Sequence, residues 1–267
     1  MSRYTEADFG QVVDQAFLFD EFVQKNLMAN YYRVMPRDDF PDVTLARLLR
    51  WAQILFRSAV ALVREPELSY GAEPLLRALL EIWAHVYWLR RDNRGTERQR
   101  ALCLELGMAG ELDAAAAKLP AWITPRPDGT SLALTLREIW QLHQAEGCCC
   151  KGRNYGQVQR TLQAMEKEFP QAFEGMLALW KVSSGIAHGM ILTRLLRETS
   201  PGITTIGPPA TYEYRANLLF WLSSAFGNIG LSIATPHPLV WNGMLDRREA
   251  LRLNPVWQAA SKGQMDS

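Results

Sequence analysis

The sequence predicts an all-α fold, a single helical bundle of about seven to nine helices over residues 1–267. Three observations carry that expectation. Apolar residues recur at steps of three and four along segment after segment, the period of an amphipathic helix. Prolines and glycines gather in short connectors between those segments. No internal repeat, low-complexity block or shift of composition marks a second domain, and a chain of 267 residues, 48% hydrophobic and 21% charged, buries a real core without disulfides or metal.

The first helix is expected from about Thr5 to Asn30, where Phe9, Val12, Val13, Ala16, Phe17, Phe19, Phe22, Val23 and Leu27 recur with Asp14, Asp20, Glu21 and Lys25 between them. A connector with two prolines, NYYRVMPRDDFP, follows. The second helix begins at Pro41-Asp42-Val43-Thr44, with Asp42 as its N-cap, and runs to about Arg64. Leu45, Leu48, Leu49, Ala52, Leu55, Phe56, Ala59 and Leu62 form its buried stripe, while Arg47, Arg50 and Arg57 lie off it as a basic, solvated edge. The third helix begins near Glu73, because a helix tolerates Pro74 only in its first turn, and ends at Arg91.

Thr96 is positioned to cap a helix through Leu106, with a second piece from Glu111 to Leu119 after the weakening glycines Gly107 and Gly110. Its polar, small-residue composition places 92–130 as a peripheral helical arm. Ser131 to Ala145 returns to helix, with Leu132, Leu136, Ile139, Trp140 and His143 facing inward. Tyr155 to Phe169 is a helix stopped by Pro170, and Gln171 to Glu198 a long apolar one with a break expected at Gly175 or Gly185. Residues 199–211, with three prolines and β-leaning residues, are an irregular loop, the alternative being a small hairpin, with nothing in the sequence to support a sheet. Ala216 to Thr235 carries no charge over 20 residues, enough to cross a bilayer, but Asn217, Ser223, Ser224, Asn228 and Ser232 mark it as the central helix of a soluble bundle. No membrane partner is expected. A last helix runs from Leu245 to about Leu253.

A formal net charge of +1 gives no overall bias toward nucleic acid or an anionic membrane. The opening MSRYTEADFG lacks the basic-then-apolar plan of a secretory signal, so the expected compartment is the cytoplasm. Cys103 and the run Cys148, Cys149 and Cys150 fit neither a disulfide framework nor paired zinc knuckles. The run is read as free thiols in a loop, the alternative being a redox or metal-binding patch with His143. No cofactor and no metal are expected.

Chemistry concentrates in two helices. On the third, Glu73, Arg77, Glu81 and His85 stand at four-residue steps, one stripe down a segment that is otherwise apolar. Buried charge is costly unless paired. Lys181, Ser184 and His188 share a face of the later apolar helix, with Gly189 leaving room beside the histidine. Facing each other, the two stripes would offset that cost, so contacts are expected among Arg77, Glu81, Ser184 and His188, with Glu73, His85 and Lys181 at the margins. Two roles fit. One is a polar network that holds two helices in register. The other is a pocket in which His188 or Glu81 handles a proton and Arg77 or Lys181 holds an anionic group. No nucleophile elbow or oxyanion loop accompanies Ser184. Glu81 and His85 are spaced Glu-x-x-x-His, whereas di-iron bundles use Glu-x-x-His twice.

R-A-L-L-E (Arg77 to Glu81) in one helix, with S-S-G-I-A-H-G (Ser183 to Gly189) about a hundred residues on, resembles a broad bacterial family of helical proteins of uncharacterised function. Tyr87 and Trp88 add to the resemblance, which covers roughly Leu68 to Leu196. That family is distantly similar to HEPN-type bundles, some of which are ribonucleases of toxin–antitoxin and phage-defence systems. The resemblance implies an all-helical fold and leaves the activity open. The HEPN ribonuclease pattern sets an Arg and a polar residue a few positions before a His. Lys181 and Val182 before His188 depart from it, while Arg137-Glu138 before His143 fits formally. The expected function is therefore a binding, interaction or sensor module, as a homodimer or with a protein partner, since nine tryptophans are ready interface material. The alternative is a HEPN-like ribonuclease using His188 or Arg137 and His143, and only that alternative implies RNA as a partner.

Overall fold

The computed structural model describes residues 5–28, 38–91, 95–116, 136–147, 158–168, 175–185, 196–200, 203–206 and 210–234. Among them are eight α-helices: α1 (Glu6–Phe22), α2 (Asp42–Arg64), α3 (Glu73–Arg91), α4 (Glu97–Ala116), α5 (Leu136–Ala145), α6 (Val158–Glu168), α7 (Met176–Gly185) and α8 (Tyr212–Ala234). A π-helical turn, Val23–Met28, continues α1, and a 3-10 turn, Ser69–Ala72, leads into α3. One antiparallel hairpin joins β1 (Leu196–Ser200) to β2 (Ile203–Ile206), pairing Leu196 with Ile206 and Ser200 with Ile203. The bundle is all-α, as the periodicity predicts.

Helix α3 is its axis, packed against α2, α4, α6, α7 and α8. The direction of each neighbour follows from its end contacts. Tyr214, at the start of α8, donates its hydroxyl to Glu73 at the start of α3, while Arg90 near the end of α3 donates to the Ile233 carbonyl, 3.4 Å away, at the end of α8. So α3 and α8 run the same way. Phe9 lies 6.0 Å from Tyr212 and Phe19 lies 5.7 Å from Phe226, so α1 runs with α8 too. Helix α2 runs against them: Arg215, in the first turn of α8, donates to the Val63 carbonyl at the end of α2 at 2.7 Å.

The centre is aromatic. Phe226 lies flat on Phe56 at 4.5 Å and meets Phe19 edge-on. All three are fully buried. Gly227 stands beside them because a Cβ there would come within 3.1 Å of the Phe19 ring. Alanine would favour the helix by about 1 kcal/mol, but Phe19 is locked against Phe226 and overpacking costs about 1–3 kcal/mol. Gly227→Ala is therefore expected to lower stability by about 1 kcal/mol in urea unfolding. Helix α8 is long and apolar enough to cross a membrane by length and composition, and 67% of that stretch is buried inside the bundle.

Local chemistry sets the helix ends. Thr5 and Asp8 form a reciprocal capping box at α1, which holds the Asp8 carboxyl below its ordinary pKa through its bonds to Thr5. Thr96 and Gln99 do the same for α4, at 2.9 and 3.1 Å. Two buried arginines close helix C-termini, where the last carbonyls lack partners within the helix. Arg100 donates to the Leu89 carbonyl at 2.7 and 2.9 Å and to the Gly95 carbonyl at 2.7 Å, closing α3. Arg215 does this for α2, bonded to the carbonyls of Val63 and Arg64, with its guanidinium 4.1 Å over Phe9.

Several expectations are corrected. Asp42 is the first helical residue of α2, not its N-cap; Pro41 holds that position and no side chain caps there. An acidic side chain in the first turn still favours the helix dipole. Gly107 and Gly110 do not divide α4, which runs unbroken to Ala116. Nor is its first half peripheral: Ala101, Leu102, Cys103 and Leu104 are fully buried, and that packing outweighs the roughly 1 kcal/mol cost of each glycine. Trp140, expected inward, is largely exposed on α5. Leu196 to Glu198, expected as helix, and part of the expected loop 199–211 form the hairpin instead. The β-branched run Ile203-Thr204-Thr205-Ile206 suits extended backbone better than a loop. Cys148, Cys149, Cys150 and the expected helix Leu245 to Leu253 lie outside the described residues.

Candidate functional site: the polar cluster between α3 and α7

The four-residue stripe of α3 meets three helices in turn. Glu73, at its start, is buried and accepts the Tyr214 hydroxyl of α8; the Tyr214 ring lies 5.0 Å from Tyr70. One turn on, Arg77 donates its Nε to Glu81 Oε1 at 2.9 Å. The same carboxylate oxygen accepts the Trp180 indole Nε1–H from α7 at 3.1 Å. The Arg77 guanidinium lies over the Trp180 ring at 5.6 Å. Arginine, carboxylate and indole thus close a triangle across two helices. It is neither dry nor fully solvated: the Arg77 side chain keeps 26% of its surface exposed and Glu81 keeps 33%.

Helix α6 fixes α7 against α3. Glu166 accepts the backbone N–H of Leu177 at 2.8 Å, placing a carboxylate at the start of α7, where unsatisfied donors and the helix dipole favour it. Two residues on, Glu168 accepts the Tyr87 hydroxyl of α3. Burial first, and then the Glu168 carboxylate, push the Tyr87 pKa well above its ordinary value, so it stays a neutral donor. Gly175, with φ of +82°, supplies the left-handed backbone that turns the chain into α7.

The structure brings Arg77 and Glu81 together, as expected. Their partner from α7 is Trp180, not Ser184. Ser184 donates its hydroxyl to the Trp180 carbonyl at 2.7 Å, a bond back onto its own helix. Its proton is thereby directed at a carbonyl, not at a base. Lys181 points to solvent, His85 is half-buried, and His188 lies outside the described residues. Glu73 is no margin residue, since it ties α3 to α8. Trp180 is the residue that sequence reasoning missed. Its signal was present: Trp180, Ser184 and His188 stand at successive four-residue steps, so the indole shares their stripe better than Lys181 does.

The formal HEPN-type pair does not converge. Arg137 is exposed, whereas His143 is buried with its Nε2 3.6 Å from Cys103 Sγ and its ring stacked on Trp140. Six residues advance a helix by roughly one and two-thirds turns, which turns the two side chains to different sides. The arginines at the end of α3 and the start of α4 are spent on contacts within the fold. Arg90 pairs with Glu97 at 2.8 Å, Arg98 pairs with Glu146 at 2.7 Å, and Arg100 caps α3. Among the described residues no group of three or more His, Cys, Asp or Glu side chains could hold a metal ion.

Chemically, the triangle presents a guanidinium held between a carboxylate and an indole ring. A stacked, carboxylate-braced arginine loses little further freedom on binding, and its fork of donors matches a carboxylate or phosphate group. No protein-family model matches the chain, and neither does any curated protein or any solved structure.

Proposed function

We propose that the chain is a binding or sensor module whose contact site is the Arg77–Glu81–Trp180 cluster, and that its ligand carries a carboxylate or phosphate group. The observation that carries this reading is the Arg77 guanidinium over Trp180, braced by Glu81 at 2.9 Å yet still partly open to solvent. A cluster serving only to hold α3 and α7 in register gains nothing from staying open, because a half-exposed ion pair contributes only about 0–1 kcal/mol. Catalysis has less support: Ser184 has its proton on a backbone carbonyl, and Glu81 is committed to Arg77 and Trp180.

Ligand-observed NMR with a panel of mono- and dicarboxylates and phosphate monoesters tests this. At least one compound is expected to bind wild type, and to bind Arg77→Gln about tenfold or more weakly, in line with the loss of a charge-assisted bond. Trp180→Phe, which keeps a ring but removes the indole donor, is expected to weaken it less. Binding that ignores Arg77→Gln would place the site elsewhere. Cleavage of a labelled RNA that is lost in His188→Ala with the melting temperature unchanged would favour a ribonuclease.

A further inference from the structure

The outer face of α2 combines exposed apolar and basic side chains. Arg50, Trp51, Ile54, Arg57, Ala61 and Arg64 are all exposed. At 100° per residue they fall within an arc of roughly 140°. Trp51 is 55% exposed and Ile54 40%, on a helix whose other large apolar side chains are mostly inside. From Val43 to Arg64 the helix carries no acidic residue. Helix α1 extends the face, since Phe17 lies 5.9 Å beneath the Arg64 guanidinium and is itself exposed, as is Leu18. The platform is stiff. Asp20 of α1, buried, takes Arg57 at 2.6 Å and Gln53 at 2.9 Å, and Arg50 bonds to Gln53 at 2.9 Å.

We propose that this face docks an amphipathic helix of a partner protein, one with carboxylates flanking an apolar stripe. Trp51, Ile54 and Phe17 would take the stripe, and Arg50 and Arg64, about 20 Å apart along one edge of α2, the carboxylates. Charge complementarity selects this occupant. A second copy of the chain meeting α2 to α2 about a two-fold axis would set Arg50, Arg57 and Arg64 against themselves. A nucleic acid is favoured less, because Arg57 is already matched by Asp20, and Arg47 by the buried Glu105 at 2.6 Å. The proposal involves α1 and α2 only, so it stands apart from the α3–α7 cluster.

The probe is a fluorescein-labelled 21-residue peptide, helical by design, with leucines on one face and glutamates flanking them, titrated by anisotropy against the full chain. The expected result is saturable binding that weakens with salt. It should fall about tenfold or more in Trp51→Ala/Ile54→Ala and in Arg50→Glu/Arg64→Glu, the size expected of interface anchors. All four positions are exposed, and an unchanged circular dichroism melt confirms that each variant folds. No binding by wild type, or binding by both variants as tight as by wild type, overturns the proposal. So does labelled poly(U), or a phosphatidylserine vesicle, binding through these same residues while the peptide does not.

Discussion

Phe226→Ala is expected to lower the unfolding free energy by about 3–5 kcal/mol, the cost of emptying a large aromatic site in a packed core. At about 2–4 °C per kcal/mol for a chain of this size, the melting temperature falls by roughly 6–20 °C. The site cannot collapse readily. Phe226 is stacked on Phe56 at 4.5 Å and edge-on to Phe19 at 5.7 Å, so three helices (α1, α2 and α8) lose contact at once. Phe226→Leu, which refills part of the volume, should recover a large part of the loss. Urea denaturation of the three proteins, with slopes compared to confirm that the unfolding transition stays the same, checks both values.

Arg215→Ala is expected to cost about 3 kcal/mol, although the residue touches none of the candidate chemistry. Its guanidinium is buried and serves the carbonyls of Val63 and Arg64, with Phe9 at 4.1 Å on its face. Removing it strands two carbonyls at the end of α2 and opens a void under Phe9. Burial draws the Arg215 pKa below its ordinary value, but a guanidinium stays protonated throughout any working range. Stability should therefore rank wild type, then Arg215→Lys, then Arg215→Met, then Arg215→Ala. Lysine keeps the charge without the fork that spans two carbonyls. Methionine keeps only the apolar stem. Methionine matching wild type would show that packing, not capping, holds the end of α2.

How much of this could be read from the chain differs by element. Helix α2 was legible nearly to the residue, because a strong apolar period runs from Leu45 and Glu65-Pro66-Glu67 stops it. Helix α4 was misread as two pieces, because the helix propensity of glycine is a weak prior that burial of Leu102, Leu104 and Leu106 overrides. The β-leaning residues after Thr199 allowed a small hairpin, but its first strand was not legible, because Leu196-Arg197-Glu198 continues a helical period from the apolar segment before it.

The candidate site divides the same way. Arg77 and Glu81 sit four apart, so their pairing follows from helix geometry. The bond from Tyr214 to Glu73 spans 141 residues, and no local pattern announces it. Trp180 lay on a visible stripe, yet a tryptophan in an apolar helix reads as core until its neighbours are known. Residue counting along Arg90, Arg91, Arg94, Arg98 and Arg100 finds only a basic helix end. That backbone carbonyls and the carboxylates of Glu97 and Glu146 claim Arg90, Arg98 and Arg100 is a three-dimensional fact that it does not contain.

Under the proposed binding role, Arg77, Glu81 and Trp180 are held for a ligand and not for the fold, and the unfolding free energy of Arg77→Gln, measured in urea without ligand, separates the two. The cluster as described here predicts a loss of no more than about 1 kcal/mol, the worth of a half-exposed ion pair. A loss of about 3 kcal/mol, equal to that expected for Arg215→Ala, would make the triangle a structural clamp between α3 and α7 and contradict the claim.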